Sequence, residues 1–126
     1  MIQDRSLVVV ADNTGAKIGR VFKILGSSKK RYAEIGDTVV LSVQIAEPRK
    51  MVKKKEVLTG VVVRQKKPFR RADGSYIRFD DNAVVILSKN PKDRFEPKAN
   101  RIFGPIPREI VDLGYQQLGS MAPEVV

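Results

Sequence analysis

Thr38-Val39-Val40-Leu41-Ser42-Val43-Gln44-Ile45 alternates strictly: Val39, Leu41, Val43 and Ile45 fall on one side, Thr38, Val40, Ser42 and Gln44 on the other. A period of two belongs to a strand with one buried face, and Val40 makes the outer face partly apolar. The next apolar run, Val57 to Arg64, is rich in β-branched residues and carries Gly60 where a bulge or a close approach of backbones would suit it. Working outward, Ser6 to Ala11 predicts a short strand closed by the turn-forming Asp12-Asn13-Thr14-Gly15. Ile18 to Leu25 predicts a second, ended by Gly26-Ser27-Ser28. Asp73-Gly74 marks a hairpin-type turn before Tyr76-Ile77-Arg78-Phe79. After Asp80-Asp81-Asn82, the run Ala83 to Leu87 is continuously apolar, as in a fully buried strand. Short strands separated by turn signals predict a mainly β fold, a small closed or nearly closed β-barrel.

Past residue 87 the pattern changes. Ser88 to Asn100 is polar, holds Pro91 and Pro97, and predicts an extended hairpin or a surface loop. Pro107-Arg108-Glu109-Ile110 has the form of a helix start, with proline near the first turn and an acid inside it. Gly114 and Gly119 are expected to limit the tail to one or two short helices. There is no internal repeat and no linker. The 126 residues fit one domain, a barrel over 1–87 and an extension over 88–126.

The chain carries 24 Lys+Arg against 14 Asp+Glu, a formal charge of +10. Such an excess repels itself in a compact chain and calls for an anionic partner, nucleic acid above all. With no Cys and no His, the usual zinc sites, thiol nucleophiles and imidazole acid–base catalysis are absent. No apolar run approaches the about 18 residues of a spanning helix, and Met1-Ile2-Gln3-Asp4-Arg5 lacks the apolar region of a signal peptide. The expectation is a protein without a membrane partner, metal or other cofactor.

Residues 29–71 hold 13 Lys/Arg and only four acids, Glu34, Asp37, Glu47 and Glu56, so nearly all the excess lies there. It comes in three clusters: Lys29-Lys30-Arg31, then Arg49-Lys50 with Lys53-Lys54-Lys55, then Lys66-Lys67 with Arg70-Arg71. Each falls beside a predicted strand, in a segment predicted as loop. Strands hold the ends of such loops, and long cationic side chains on loops suit an irregular phosphate surface. A solvated charged face is the ordinary alternative. Tyr32, Phe69 and Tyr76 punctuate the same region. Phe69, between Pro68 and Arg70 at an expected loop tip, is the best placed to stack on an unpaired base, whereas Tyr32 and Tyr76 serve equally well as strand-end packing.

Asp73, Asp80 and Asp81 are the only acids that suggest metal-assisted hydrolysis. Neighbours on a strand point to opposite faces, Asp beside a tight turn is an ordinary turn former, and no phosphate-cradling loop accompanies them. The chain is therefore not expected to be an enzyme. Two other classes are a free-standing barrel that binds single-stranded RNA through Phe69 and Tyr76, and a docking adaptor for an acidic protein. The first predicts aromatics on a strand face, but aromatics make up only 6% of the chain and Trp is missing.

Several segments in order resemble the bacterial-type large-subunit ribosomal protein fourteen family. They are Met1-Ile2-Gln3, Val10-Ala11-Asp12-Asn13-Thr14-Gly15-Ala16, Arg31-Tyr32-Ala33, and Ile35-Gly36-Asp37. The most specific portion runs from Gly60-Val61-Val62-Val63-Arg64 to Asp73-Gly74-Ser75-Tyr76-Ile77-Arg78-Phe79-Asp80-Asp81-Asn82-Ala83. Arg101-Ile102-Phe103-Gly104-Pro105 and Met121-Ala122-Pro123-Glu124-Val125 complete it.

The resemblance implies a five-stranded β-barrel with a small helical tail. It implies a structural constituent of the large ribosomal subunit that binds large-subunit ribosomal RNA as one domain over 1–126. It further implies a place on the face that meets the small subunit, with bridges to small-subunit ribosomal RNA. Large-subunit proteins three and nineteen would be neighbours, and a ribosome-silencing factor would dock on the tail. The setting would be a cytoplasmic or organellar ribosome. Carried onto this chain, the RNA-facing cations would be Lys29, Lys30, Arg31, Arg49, Lys50, Lys53, Lys54, Arg64, Lys66, Lys67, Arg70, Arg71 and Arg78. Arg101, Arg108 and Gln117 would lie on the small-subunit and silencing-factor side. Two features depart from the family pattern. Ser88–Asn100 is a few residues longer than the usual bacterial form and carries Lys89, Lys92, Arg94 and Lys98, and Gln117 stands where bacterial relatives often have Lys.

Overall fold

In the computed structural model the described residues are 2–3, 5–26, 31–50, 52–89 and 95–126. The strands are β1 (Ile2–Gln3), β2 (Leu7–Val10), β3 (Ala16–Ile24), β4 (Tyr32–Ala33), β5 (Thr38–Ala46), β6 (Val57–Arg64), β7 (Phe69–Arg70), β8 (Tyr76–Ile77), β9 (Ala83–Lys89) and β10 (Phe95–Pro97). Two short helices follow, α1 (Arg108–Asp112) and α2 (Gln116–Met121). Five strands close into a barrel in the order β9-β2-β3-β5-β6, sealed by the pairing of β6 with β9. All neighbours in the ring are antiparallel except β2 and β9. Closure leaves the ring without a free edge.

The alternation that predicts β5 is obeyed by Val39, Leu41 and Val43, which are fully buried inside the barrel. Ile45 is not: it is 51% exposed. The pairing explains this. Strand β6 meets β5 only from Thr38 to Ser42 and Val43 still bonds the residues just before β6, so residues 44–46 run on beside β3, beyond the end of the barrel. Gly60 proves to be a close approach, because a Cβ there would lie 3.1 Å from the Val85 carbonyl oxygen and 3.2 Å from Leu41 Cδ2. The bulge in this strand falls instead between Val62 and Arg64.

There are two apolar cores, and the continuous runs in β6 and β9 follow from serving both. Val62, Val84 and Ile86 point into the barrel, against Val39, Leu41 and Val43. Val61, Val63, Ala83, Val85 and Leu87 point outward into a second cluster with Ile102, Ile106, Ile110 and Leu118 of the C-terminal extension. Strands buried on both faces lose the alternating pattern. The extension thus lies across one wall of the barrel.

Helices of five and six residues are too short to persist alone. Ile110 and Leu118, both fully buried, hold them in place. Pro107 stands at the N-cap of α1 in extended conformation, as its locked φ allows. Gly114, at φ +109, separates the helices as expected. Gly119 does not end a helix. It lies inside α2, where a Cβ would come within 2.8 Å of Val111 Cγ2, so its role is to let the two helices approach. Beyond residue 88, β10 pairs back antiparallel on β9, Phe95 opposite Lys89 and Pro97 opposite Leu87, while Lys92 and Arg94 lie outside the described residues.

Candidate nucleic-acid interface

The second cationic cluster sits on a loop that is anchored at several points. Val52, fully buried, is part of the barrel core, and its amide donates to the Thr14 carbonyl at 3.2 Å. The Glu47 amide donates to the Gly15 carbonyl at 2.7 Å. Gly15 has φ +105, and a Cβ there would lie 2.2 Å from Lys50 Cβ, so only glycine lets the loop cross the turn so closely. Glu56 Oε2 accepts from the Lys53 amide at 3.1 Å, and the Lys55 amide donates to the Val43 carbonyl at 2.7 Å. Arg49, Lys50, Lys53 and Lys54 are exposed on this frame.

Gln65 organises the third cluster and is 1% exposed. Its Oε1 accepts from the Ile35 amide at 3.2 Å, and its Nε2 donates to the Lys67 carbonyl at 2.9 Å. The Lys66 amide donates to Asn82 Oδ1 at 2.9 Å. One buried amide side chain therefore ties the loop of Lys66 and Lys67 to the turn that follows Arg31. Beyond it, β7 and β8 form a small hairpin. Its turn is closed by Asp73 Oδ1, which accepts from the Ser75 hydroxyl at 2.6 Å and the Ser75 amide at 2.9 Å. Those bonds, the hydroxyl first, hold the Asp73 carboxyl below its ordinary pKa. Lys66, Lys67, Arg70 and Arg78 are exposed around this hairpin, and Arg31 is exposed at the neighbouring turn. Lys29 and Lys30 lie outside the described residues.

Two of the expected RNA-facing arginines are engaged within the protein. Arg64 is 7% exposed. Its Nε lies 2.9 Å from Asp81 Oδ1, its Nη2 donates to Asp81 Oδ2 at 3.3 Å, and its Nη1 donates to the carbonyls of Phe103 at 2.9 Å and Pro105 at 3.4 Å. Arg71 is paired with Glu109 of α1 at 2.9 Å, and its Nη2 donates to the main-chain oxygen of Val126 at 2.6 Å. Both clamp the C-terminal extension onto the barrel. Composition counts such a guanidinium as surface charge; only the fold shows where it is spent. Phe69, expected as a stacking platform, is half-buried and packs against the second core. Of the three aromatics that punctuate the basic region, Tyr76, at 67%, and Tyr32, at 46%, are the exposed ones.

The sequence reading placed Asp12 in a simple turn, but it is buried and structural. Strand β2 covers β9 only at Ala83 and Val84, and β10 only from Leu87 onward. Between them the Ile86 amide has no strand partner, and Asp12 Oδ2 accepts from it at 2.8 Å. Oδ1 accepts from the Thr14 hydroxyl at 2.6 Å and the Thr14 amide at 3.2 Å. Burial raises the pKa of this carboxyl, against the opposing pull of those hydrogen bonds. Lys17, Arg20 and Lys23 on β3 lie outside the three cationic clusters, yet they are exposed beside Phe22. Each stands apart among other residues, so no run of charge marks them in the sequence.

Arg101 is exposed, with its guanidinium 5.7 Å from the centre of the Phe103 ring. It adjoins the end of α2, since the Ile102 amide donates to the Met121 carbonyl. Gln117 is exposed on α2, whereas Arg108 starts α1 and lies 4.0 Å from Asp73 of the hairpin. Among the described residues no three His, Cys, Asp or Glu gather in a way that could hold a metal ion, and no helix is long and apolar enough to cross a membrane.

A closed five-stranded barrel that displays cations on anchored loops and carries a helical tail is the arrangement the family resemblance implied. The sequence model of the family Ribosomal protein L14p/L23e matches residues 1–126. The chain belongs to this family. Members of the L14p/L23e family are structural proteins of the large ribosomal subunit and not enzymes, so the place of this protein is in the ribosome, in association with ribosomal RNA and ribosomal proteins. In this member of L14p/L23e, Asp12, Arg64 and Gln65 are engaged in the fold, whereas the described cations of the three loop clusters, apart from Arg71, are exposed.

Proposed function

We propose that this protein binds large-subunit ribosomal RNA through Arg31, Arg49, Lys50, Lys53, Lys54, Lys66, Lys67, Arg70 and Arg78. One observation carries the reading: the loops bearing these cations are pinned by buried side chains, Val52 for one and Gln65 for the other. Pinned loops present their charges with little ordering left to lose on binding. Each phosphate neutralised releases counterions, so affinity should fall by about 0.7–0.9 log units per contact for each tenfold rise in salt. The test is the salt dependence of binding between the full chain and a large-subunit RNA fragment. A slope near zero would remove the electrostatic reading. Changing Lys66, Lys67 and Arg70 together to Ala should lower incorporation into large subunits while the barrel stays folded.

On the same reading, Arg101, Arg108 and Gln117 face the small subunit and contribute to bridges with its RNA, with large-subunit proteins three and nineteen as neighbours. Gln117 in place of a cation would weaken a ribosome-silencing factor's hold on the tail. Charge substitution at Arg101 should then impair subunit joining more than large-subunit assembly, which sucrose-gradient profiles separate.

A further inference from the structure

One surface of this basic protein is lined by acids. Between the turn at residues 34–37, β7 and α1 lies a groove of about 760 Å³. Its floor is apolar: Ile35 is almost buried, Phe69 half-buried, and Leu113 presents 61% of its surface. Gly36, at φ +93, allows Leu113 to lie over the turn, for a Cβ there would be 2.4 Å from Leu113 Cδ1. The walls carry four carboxylates, Glu34, Asp37, Glu109 and Asp112, with Arg31 the single cation among the described lining residues. Glu34 and Asp37 are two of the only four acids in residues 29–71. Glu109 is already paired with Arg71, and Asp37 Oδ2 accepts from the Glu34 amide at 2.8 Å. Glu34, Asp112 and Arg31 are exposed, so a visitor would meet more acid than base.

We infer that this groove docks an extended segment of a neighbouring ribosomal protein, one that sets an aliphatic side chain beside Arg or Lys. The inference rests on the ribosomal setting of the family and adds a second surface to it. Phosphates approaching here would meet carboxylates, so RNA is the wrong partner for this wall. A cationic peptide gains from the same charges, and its aliphatic group covers Leu113 and Ile35. A volume in the range of about 300–1,000 Å³ typical of ligand clefts has room for a few side chains and not for a folded domain.

The test uses the full chain and two synthetic peptides, Arg-Leu-Arg-Arg-Leu-Arg and its Glu-for-Arg counterpart, followed by fluorescence anisotropy and methyl NMR. The cationic peptide should bind and shift the methyl signals of Ile35 and Leu113. Glu34→Lys combined with Asp112→Lys, both at exposed positions, should weaken it by about tenfold or more. Leu113→Ser should weaken it without changing the charge. The large-subunit RNA fragment, measured in parallel, should bind both variants at least as well as the parent. The inference is overturned by an absence of peptide binding, by equal binding of the acidic peptide, or by indifference to the charge reversal. It is also overturned if the RNA fragment, or self-association of the free chain, shifts the same methyls. Loss of RNA binding by the parent chain would strike the RNA reading alone, since the peptide arm does not depend on it.

Discussion

Arg64 and Gly104 offer the sharpest test of how the tail is held. Arg64→Ala removes the guanidinium's bonds to the Phe103 and Pro105 carbonyls and its two-point pairing with Asp81. The bond to Phe103 at 2.9 Å comes from a charged donor, worth about 1.5–3 kcal/mol, whereas the 3.4 Å bond to Pro105 is long and adds less. The Asp81 side chain is 36% exposed and regains water, so that pairing counts only at its surface value of about 0.5–1 kcal/mol. The expected loss is about 3 kcal/mol. Gly104→Ala should cost a similar amount by another route. Its φ of +84 adds about 1–2 kcal/mol of strain to any side chain, and the new Cβ would lie 2.2 Å from Arg64 Nη1. An arginine tip would ordinarily swing away cheaply; here it is bonded on every side, and moving it forfeits those bonds. Once Arg64 is Ala the collision is gone, and Gly104→Ala should cost only the backbone strain. A double-mutant cycle by urea denaturation should therefore show a coupling of about 1–2 kcal/mol, with the urea slope unchanged. Costs that simply add, within about 0.5 kcal/mol, would refute the picture of a guanidinium clamped over a glycine.

Val52→Ala should cost about 1.5–2 kcal/mol by removing buried carbon from the barrel and should also weaken RNA binding, because the Arg49–Lys54 loop loses its anchor; unchanged affinity in a binding titration would separate the two. For Asp12 the folded pKa is raised above 3.8, so its contribution is fullest below 3.8 and is lost as pH rises through the folded value. Wild type should accordingly lose stability relative to Asp12→Asn as pH is raised from the acid side, and a difference moving the other way would contradict burial as the dominant cause. Gly119→Ala gains about 1 kcal/mol of helix propensity but drives a Cβ to 2.8 Å from Val111 Cγ2; overpacking of about 1–3 kcal/mol should win, lowering the melting temperature. Gln65→Leu leaves the Ile35 amide and Lys67 carbonyl without their partner, and faster hydrogen exchange at Ile35 should report it.

Local chemistry was enough for much of this molecule. The period of two from Thr38 to Val43, the unbroken run Ala83–Leu87, the Asp73-Gly74 turn and the proline before Arg108 each act over a few residues, so they could be located without knowing what lies across the fold. Charge counting over 29–71 found the cationic loops for the same reason. What a side chain meets at long range was not legible. Arg64 and Arg71 look like their exposed neighbours until residues 103–126 come back to cover them. Asp12 is a turn former by type, and becomes a strand substitute only because β2 and β10 leave the Ile86 amide uncovered. Phe69 was assigned to a loop tip, but the returning tail gives it a core to pack against. Ile45 keeps the period of its strand and is exposed because β6 stops short of it. Neighbouring residues alone marked the five strands of the barrel, most of the turns and the sign and place of the charge, whereas the short strands β1, β4 and β7 carry no such local pattern. Which cations stay free for a phosphate, which are taken up as clamps, and where acids gather into a groove were decided by tertiary contacts, because burial and pairing depend on what closure of the barrel and return of the tail bring together.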